Sequence, residues 1–462
     1  MSGAQLRVWP AISRATIAPE LYAHQIDMVG EGVYEGIWTG RAARLPNEEG
    51  IRMDVLALLK HLRVPLLKWP GDAFARYYHW KDGIGTGKAR EQRVNIPGQA
   101  IEPNTFGTHE FLLLCEKLGC KPWITCNGAT GGLREAMEWL EYCTFGGDTT
   151  LTALRSHNGQ PDPFEAPYWS YDGPEGSAVL RTLNPDIIDI GEAVTDTKQH
   201  KMRPKLHQFA VAMPTSGGRD FGERAYRASF VGLRLFEAEI ERNLALLDAA
   251  FPGKRVKAAI NQWGVCHPEA NPEAGMEQPS TLRDALLAAS ALNLLNEHAG
   301  RIAIACMADA INSNHCLVKT QGRDMYLTPT YHVFDLMAPH KGARLLYREL
   351  ECPKMPLPRD RNADVSSIPA LNASASRARK RLCITVTNQS YSETVPLSVE
   401  IREAEIATLS GRVLTAPSAT AENTFENPKT VAPARLDLTP DGNTFHYAMP
   451  PHSLAAFTVG LR

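Results

Sequence analysis

The apolar positions of this chain change period near residue 340. Before that point, stretches with helical spacing alternate with short apolar runs that end in polar groups. The helical stretches are residues 51–62, 108–118, 133–142, 224–250 and 281–297. The runs are residues 64–72, 121–126, 166–171, 186–190, 205–209, 256–263 and 301–307, with one more ending near Asp27. After residue 340, helical periodicity gives way to short alternating strands, such as residues 382–387, 394–401 and 454–459, separated by Pro, Ser and Thr. About eight strand–helix units predict an α/β fold, a (β/α)₈ TIM barrel over residues 20–340. The later strands predict a C-terminal β-sandwich of jelly-roll type over residues 341–462, with residues 1–19 joining it. Residues 358–378, rich in Arg, Ser and Ala, read as an exposed loop.

Composition narrows the function classes. At 462 residues the chain can build two cores, and 44% apolar with 22% charged residues is ordinary for a globular protein. A net charge of −2 predicts neither nucleic-acid nor membrane partners. No apolar run approaches the ~20 residues of a membrane span. The first seven residues lack the features of a signal peptide. The 9 cysteines are scattered without a CxxC pair, as expected of free thiols in a reducing cytoplasm.

Candidate chemistry lies at the strand ends, because polar groups there face the mouth of a parallel barrel. The run from Val256 to His267 ends in Asn261, Gln262 and Trp263, two amides and an aromatic where a carboxylate would be the useful group. Carboxylates occur instead at Asp27, Asp72, Asp172, Glu175, Glu192 and Asp309. Glu192, Glu175 and Asp172 are the catalytic candidates, since two carboxyls in one apolar mouth push their pKa values apart and so supply an acid and a base. Structural alternatives stand beside them. Asp72 suits an ion pair with Lys68, Asp172 a turn before Gly173, Glu175 the start of the next helix, and Asp309 a contact with Asn312 or His315. Trp38 and Trp263 are expected as flat apolar walls for a sugar ring. His207 and His267 suit hydrogen-bonded scaffold as well as a ligand. A metal set of Asp172, Glu192, His207 and His267 is the weaker option, and no metal or cofactor is expected.

Long blocks carry a resemblance. They include Ile17 to His24 running to Trp38, Lys68 to Phe74, Tyr78 to Gly85, Pro103 to Phe111, Asn127 to Gly131, Thr281 to Leu286 and Leu327 to Phe334. In this order they resemble the family-51 glycoside hydrolases, α-L-arabinofuranosidases built of a (β/α)₈ barrel and a jelly roll. The resemblance implies a small carbohydrate as ligand and a homo-oligomer, and it marks Asp27, Asp72, Trp80, Asn127, His207 and Asp309 as sugar-site positions. It places Gln262 where the family's Asp-Glu-Trp motif has its nucleophile, and Pro174, with Glu175 one residue late, where the family has its acid/base. Asp27 stands for a Glu, Asp72 for an Asn or Cys, and Asp309 for a Gln. The segment before His207 is shorter than the family's by about one helix. A retaining mechanism needs two carboxyls ~5–5.5 Å apart, an inverting one ~6.5–9.5 Å. An amide at Gln262 cannot form the glycosyl ester. The expectation is therefore a protein acting on a small furanoside with relocated acids, the alternatives being an inactive sugar binder or a non-hydrolytic lyase or isomerase.

Overall fold

The computed structural model describes residues 3–171, 174–192, 203–359 and 365–462. Eight parallel strands close into a barrel in the order of the chain. They are β1 (Ala23–Gln25), β2 (Leu66–Trp69), β3 (Lys121–Thr125), β4 (Tyr168–Ser170), β5 (Ile188–Gly191), β6 (Leu206–Pro214), β7 (Ala258–Cys266) and β8 (Ile302–Met307). The outer helices are α1 (Met53–Leu62), α2 (Thr108–Leu118), α3 (Gly132–Thr144), α4 (Thr150–His157), α5 (Pro174–Leu183), α6 (Glu223–Ala250), α7 (Leu282–Glu297) and α8 (Pro329–Met337). Their starts follow local rules. Asp284 in the first turn of α7 accepts from the Thr281 N–H and hydroxyl, and Thr328 accepts from the Tyr331 N–H before Pro329 opens α8. No helix among the described residues is long and apolar enough to cross a membrane.

Strand parity explains how the barrel is filled. Ala23, Leu66, Trp123, Tyr168, Ile190, Leu206, Ala259 and Ile304, one from each strand, pack with Cys306 into a buried apolar cluster of their own. Side chains two positions apart share a face. The next layer toward the carboxyl ends is accordingly Gln25, Lys68, Thr125, Ser170 and Asn261, and it is polar. The barrel is thus plugged with apolar groups below and lined with polar groups at its mouth.

A nine-stranded sheet forms the second unit. The N-terminal strand Ala4–Thr16 lies inside it, antiparallel to Arg344–Glu351 and parallel to Val395–Ile401. The remaining neighbours pair antiparallel. Residues read as part of an exposed loop form a strand here. Leu371–Ala378 pairs along its length with Arg381–Asn388, and Ala373, Ser374, Ala375 and Ser376 are wholly buried. Small residues carry little strand signal, yet they let α7 pack closely on this strand. Asn296 of α7 donates to Ser374 Oγ at 3.3 Å.

Two strands run further than their sequence suggests. The run that seemed to end at His207, Gln208 and Phe209 continues to Pro214, because Ala210 to Met213 pair with β7 in full register. His207 is therefore the second residue of β6, opposite Ala258 at the start of β7. Likewise Asn261, Gln262 and Trp263 lie within β7, not at its end. The pairing slips there against both neighbours. Phe209 faces Ile260, whereas Ala210 faces Gln262, leaving Asn261 as the extra residue of a bulge. Bulges of this kind re-aim side chains next to functional sites.

Candidate active site

The mouth is built around a lysine. Lys68 is wholly buried on β2, where an isolated ammonium would be costly. Its Nζ donates to Gln25 Oε1 at 3.1 Å and to the Asn261 carbonyl at 3.2 Å, and it is ion-paired with Asp72 Oδ1. It also lies 5.2 Å from the centre of the Trp123 ring. Gln25 passes the arrangement on. With its oxygen held by Lys68, its Nε2 donates to Asp309 Oδ1 at 3.1 Å and to Asp27 Oδ2 at 3.5 Å. Asn314 Nδ2 donates to the other oxygen of Asp309 at 2.8 Å, and the Met28 N–H donates to Asp27 Oδ1 at 2.8 Å. Asn261 Nδ2 reaches Asp72 Oδ1 at 3.4 Å. Gly71, at φ +99°, makes room for Asp27, since a Cβ there would sit 2.3 Å from the Asp27 carboxyl carbon.

Three carboxyl groups therefore share one cation, on the wall formed by β8, β1 and β2. The electrostatics follow. Burial, then repulsion from Asp309 and Asp72, raises the Asp27 pKa well above the usual carboxylate range. Burial also pushes Asp309 up to about 7, against the hydrogen bonds from Asn314 and Gln25 that favour its charge. Asp72 Oδ2 and Asn261 Oδ1 are buried with no hydrogen-bond partner among the described residues. Gln262 is half-buried and its amide makes no hydrogen bond among them.

The expected site residues divide. Asp27, Asp72 and Asp309 come together, and Gln262 follows Asn261 of the same cluster. Glu192 is exposed just past β5, two positions beyond the interior residue Ile190. In the cyclic strand order β5 is diametrically opposite β1. Asp172 lies outside the described residues. The backbone of Glu175 falls in the first turn of α5, which opens at Pro174, and its side chain lies outside the described residues.

The aromatic candidates are packed away from open space, and the two histidines differ: His267 is hydrogen-bonded, whereas both ring nitrogens of His207 are buried without a hydrogen-bond partner among the described residues. Trp263 points away from the mouth, 1% exposed, between Phe236 of α6 and Phe334 of α8. Trp80 is wholly buried, parallel to Trp139, and its Nε1 donates to the Glu135 carbonyl at 3.2 Å. Trp38 packs edge-on to Phe106 and against Gly50, where a Cβ would meet its ring at 2.4 Å. None of the three offers a sugar an open ring face. Asn127 spends its amide on its own loop and the neighbouring one: its oxygen accepts from the Ala129 and Thr130 N–H groups, and its nitrogen donates to Thr130 Oγ1 and to Tyr78 O of the loop after β2. His207 is buried against Phe251, and burial lowers its pKa to about 4. His267 lies 3.2 Å from Asp284 Oδ2 through Nε2 and 2.5 Å from Thr215 Oγ1 through Nδ1. The histidines have different neighbours, and among the described residues no three His, Cys, Asp or Glu side chains converge as a metal site; Asp172 of the metal set lies outside them. Gln25 and Asn314, which tie the mouth together, carry no signal in the sequence beyond their nearness to Asp27 and Asp309.

Comparison with known proteins agrees with this architecture. Residues 58–175 match the model of the α-L-arabinofuranosidase 1 domain, and residues 262–453 that of the α-L-arabinofuranosidase C-terminal domain. An intracellular exo-α-L-arabinofuranosidase of Bacteroides ovatus is 30% identical over 457 residues, covering 90% of this chain and 88% of the relative. The crystal structure of the GH51 arabinofuranosidase from Xanthomonas axonopodis pv. citri superposes with a TM-score of 0.90 at 29% identity, over 99% of both chains. That of the α-L-arabinofuranosidase from Thermotoga maritima, an arabinose complex, superposes at 0.87 and 26% identity, over 99% of this chain and 100% of that one. The chain belongs to the GH51 family of α-L-arabinofuranosidases.

Proposed function

We propose that the barrel mouth binds a small furanoside and hydrolyses it with carboxyl groups other than the pair the family uses. The observation that carries this reading is the cluster of Asp27, Asp72 and Asp309 around a single buried lysine, with burial raising the pKa of Asp27 and Asp309 above the usual carboxylate range. Buried charge on this scale is costly unless it is used or paired. The unpartnered oxygens of Asp72 and Asn261 fit ligand hydroxyls, which would satisfy them.

Asp309 is the acid and Glu192 the base in this reading. Asp309 gives its proton to the glycosidic oxygen as the bond to the anomeric carbon breaks. Glu192, across the mouth, takes a proton from the water that adds to that carbon. Acids on opposite walls favour inversion, which needs room for that water. Asp172 and Glu175 are further candidates for the base. Gln262, lacking the charge to become a nucleophile, serves as a hydroxyl ligand.

A second reading, sugar binding without turnover, is favoured by the amide at Gln262. Aryl α-L-arabinofuranosides and other aryl furanosides separate the two. Release of the aryl group, with an inverted sugar product, is the outcome expected here; tight binding of the sugar with no release on any of them would sink the catalytic reading and keep the other. In the second case Gln262→Glu tests whether an intact pocket can regain weak turnover. We also propose a cytoplasmic location, in keeping with cysteines that form no disulfide among the described residues and with the intracellular Bacteroides relative, and a homo-oligomeric state. Size-exclusion chromatography with light scattering checks the latter.

A further inference from the structure

At the end of the barrel opposite the mouth, two cysteines face one cavity. The helix α2 closes in a Schellman turn. The Cys120 N–H donates to the Cys115 carbonyl and the Gly119 N–H to the Glu116 carbonyl, each at 3.0 Å, with Gly119 in the left-handed region at φ +67°. Such a turn is commonly closed by an apolar contact between the residues at its two ends. Here those residues are Cys115 and Cys120, and their thiols are close enough to share a hydrogen bond. Both are free, and they are 2% and 9% exposed.

The space beside them sets this pair apart. Cys115 and Cys120 line a cavity of about 540 Å³, together with Leu112, Pro122 and Phe164. Lys121 opens β3, and residues 160–165 lead toward β4, so the cavity lies at the amino ends of the strands, away from the mouth. Its exposed charges, Glu116, Glu165 and Lys121, carry both signs and suit a zwitterionic visitor. Cys306, at 0% exposure inside the apolar plug of the barrel, is by comparison filler. Burial, then the Cys120 thiol, raises the Cys115 pKa well above the usual thiol range. Cys115 therefore keeps its proton, and Cys120, the more exposed of the two, is the thiol that an incoming reagent meets.

We propose that Cys115 and Cys120 form a modification site for a low-molecular-weight disulfide, which converts the pair to an intramolecular disulfide. The exchange runs in two steps. The Cys120 thiolate attacks one sulfur of the small disulfide. Its S–S bond breaks, a mixed disulfide forms on Cys120, and the first small thiol leaves with the proton that Cys120 gave up. Cys115 then loses its proton and attacks Cys120 Sγ, and the second small thiol leaves with that proton. Two protein thiols are oxidised and one small disulfide is reduced to two thiols. The new bond fastens the last turn of α2 to the start of β3. In reducing surroundings the pair stays as thiols, and the bond forms when small disulfides accumulate.

The native full chain, incubated separately with glutathione disulfide and with the smaller cystamine, tests it. Each sample is blocked with iodoacetamide in urea, digested with trypsin without reductant and read by mass spectrometry. Trypsin cuts after Lys117, so only a disulfide holds the peptides of Cys115 and Cys120 together. The expected product is that joined pair, lost on adding dithiothreitol, while the exposed Cys266 carries the small thiol alone. Cys115→Ser should instead leave the small thiol on Cys120, and Cys120→Ser should leave Cys115 without an adduct. Labelling of Cys266 with no joined pair from either reagent would overturn the site. So would a joined pair that forms only when urea is present during the incubation. Both results come from the native chain, so they stand even where a variant fails to fold.

Discussion

Asp309 and Asp284 are both buried aspartates, at 1% and 0% exposure, and they hold protons in opposite ways. Asp284, at the start of α7, accepts from the Thr281 N–H at 2.9 Å and the Thr281 hydroxyl at 3.0 Å, and pairs with Arg283 at 2.9 Å and with His267. Those cations and hydrogen bonds outweigh burial and hold its pKa well below the usual carboxylate range. Asp309 has two amide donors and two acidic neighbours sharing one lysine, and its pKa goes up to about 7. Burial is the same in the two places, so the partners decide. The α7 cluster is complete in itself and belongs to the scaffold. The mouth cluster keeps acid in excess and leaves oxygens of Asp72 and Asn261 without partners, as a site waiting for a ligand would.

The contrast can be broken from either side. Asp309→Asn should lower furanoside turnover by about 10²- to 10⁴-fold, the usual contribution of a positioned general acid, without loss of fold stability at neutral pH, where the native carboxyl's raised pKa is itself destabilising. Initial rates alongside a thermal melt measure both. Asp284→Ala should do the reverse. It leaves Arg283 and His267 buried without their carboxylate, at a cost of about 3–5 kcal/mol in denaturant unfolding. An equal loss of turnover and stability in both variants would erase the distinction.

A pH series sharpens it. Asp309 is raised when folded, so the folded state binds its proton more tightly than the unfolded state does. Below the ordinary value of 3.8 both states are protonated and no penalty arises. Between 3.8 and about 7 the unfolded carboxyl ionises first, and stability falls as pH rises. Asp284 acts oppositely: its stabilisation is present above its unfolded value and is lost as pH falls through its depressed folded value. Unfolding measured between these limits should show the Asp309 slope in the native chain and a shallower one in Asp309→Asn. The smallest effect is expected of Arg219→Ala, whose exposed pair with Glu422 is worth about 0–1 kcal/mol.

The sequence carried the barrel because its helices have clean periodicity and its strands are short apolar runs. It also carried Asp27, Asp72 and Asp309, since a carboxylate just past an apolar strand has few places to go but the mouth. It misled where a polar group stood inside a strand. Asn261 and Gln262 looked like an end because a bulge is invisible without its partner strands, and β6 was cut short at Phe209 for want of the same partners. Trp38 and Trp263 looked like sugar walls because an aromatic residue shows its size in the sequence and not the side it faces. The strand at Leu371–Ala378 was missed because Ala and Ser fit a tight sheet–helix contact without a hydrophobic signature. The bonds from Gln25 and Asn314, which decide the protonation of the mouth, depend on loops brought together only by the closed barrel.

The account rests on the buried acids of the mouth acting on a furanoside. Turnover of an aryl α-L-arabinofuranoside, followed from about pH 5 to 9 in the native chain and in Asp309→Asn, tests it most directly. The account predicts measurable turnover that declines as pH rises through about 7, where Asp309 gives up its proton, and that is nearly abolished in the variant. Turnover that is absent at every pH, or the same in the variant as in the native chain, would contradict it.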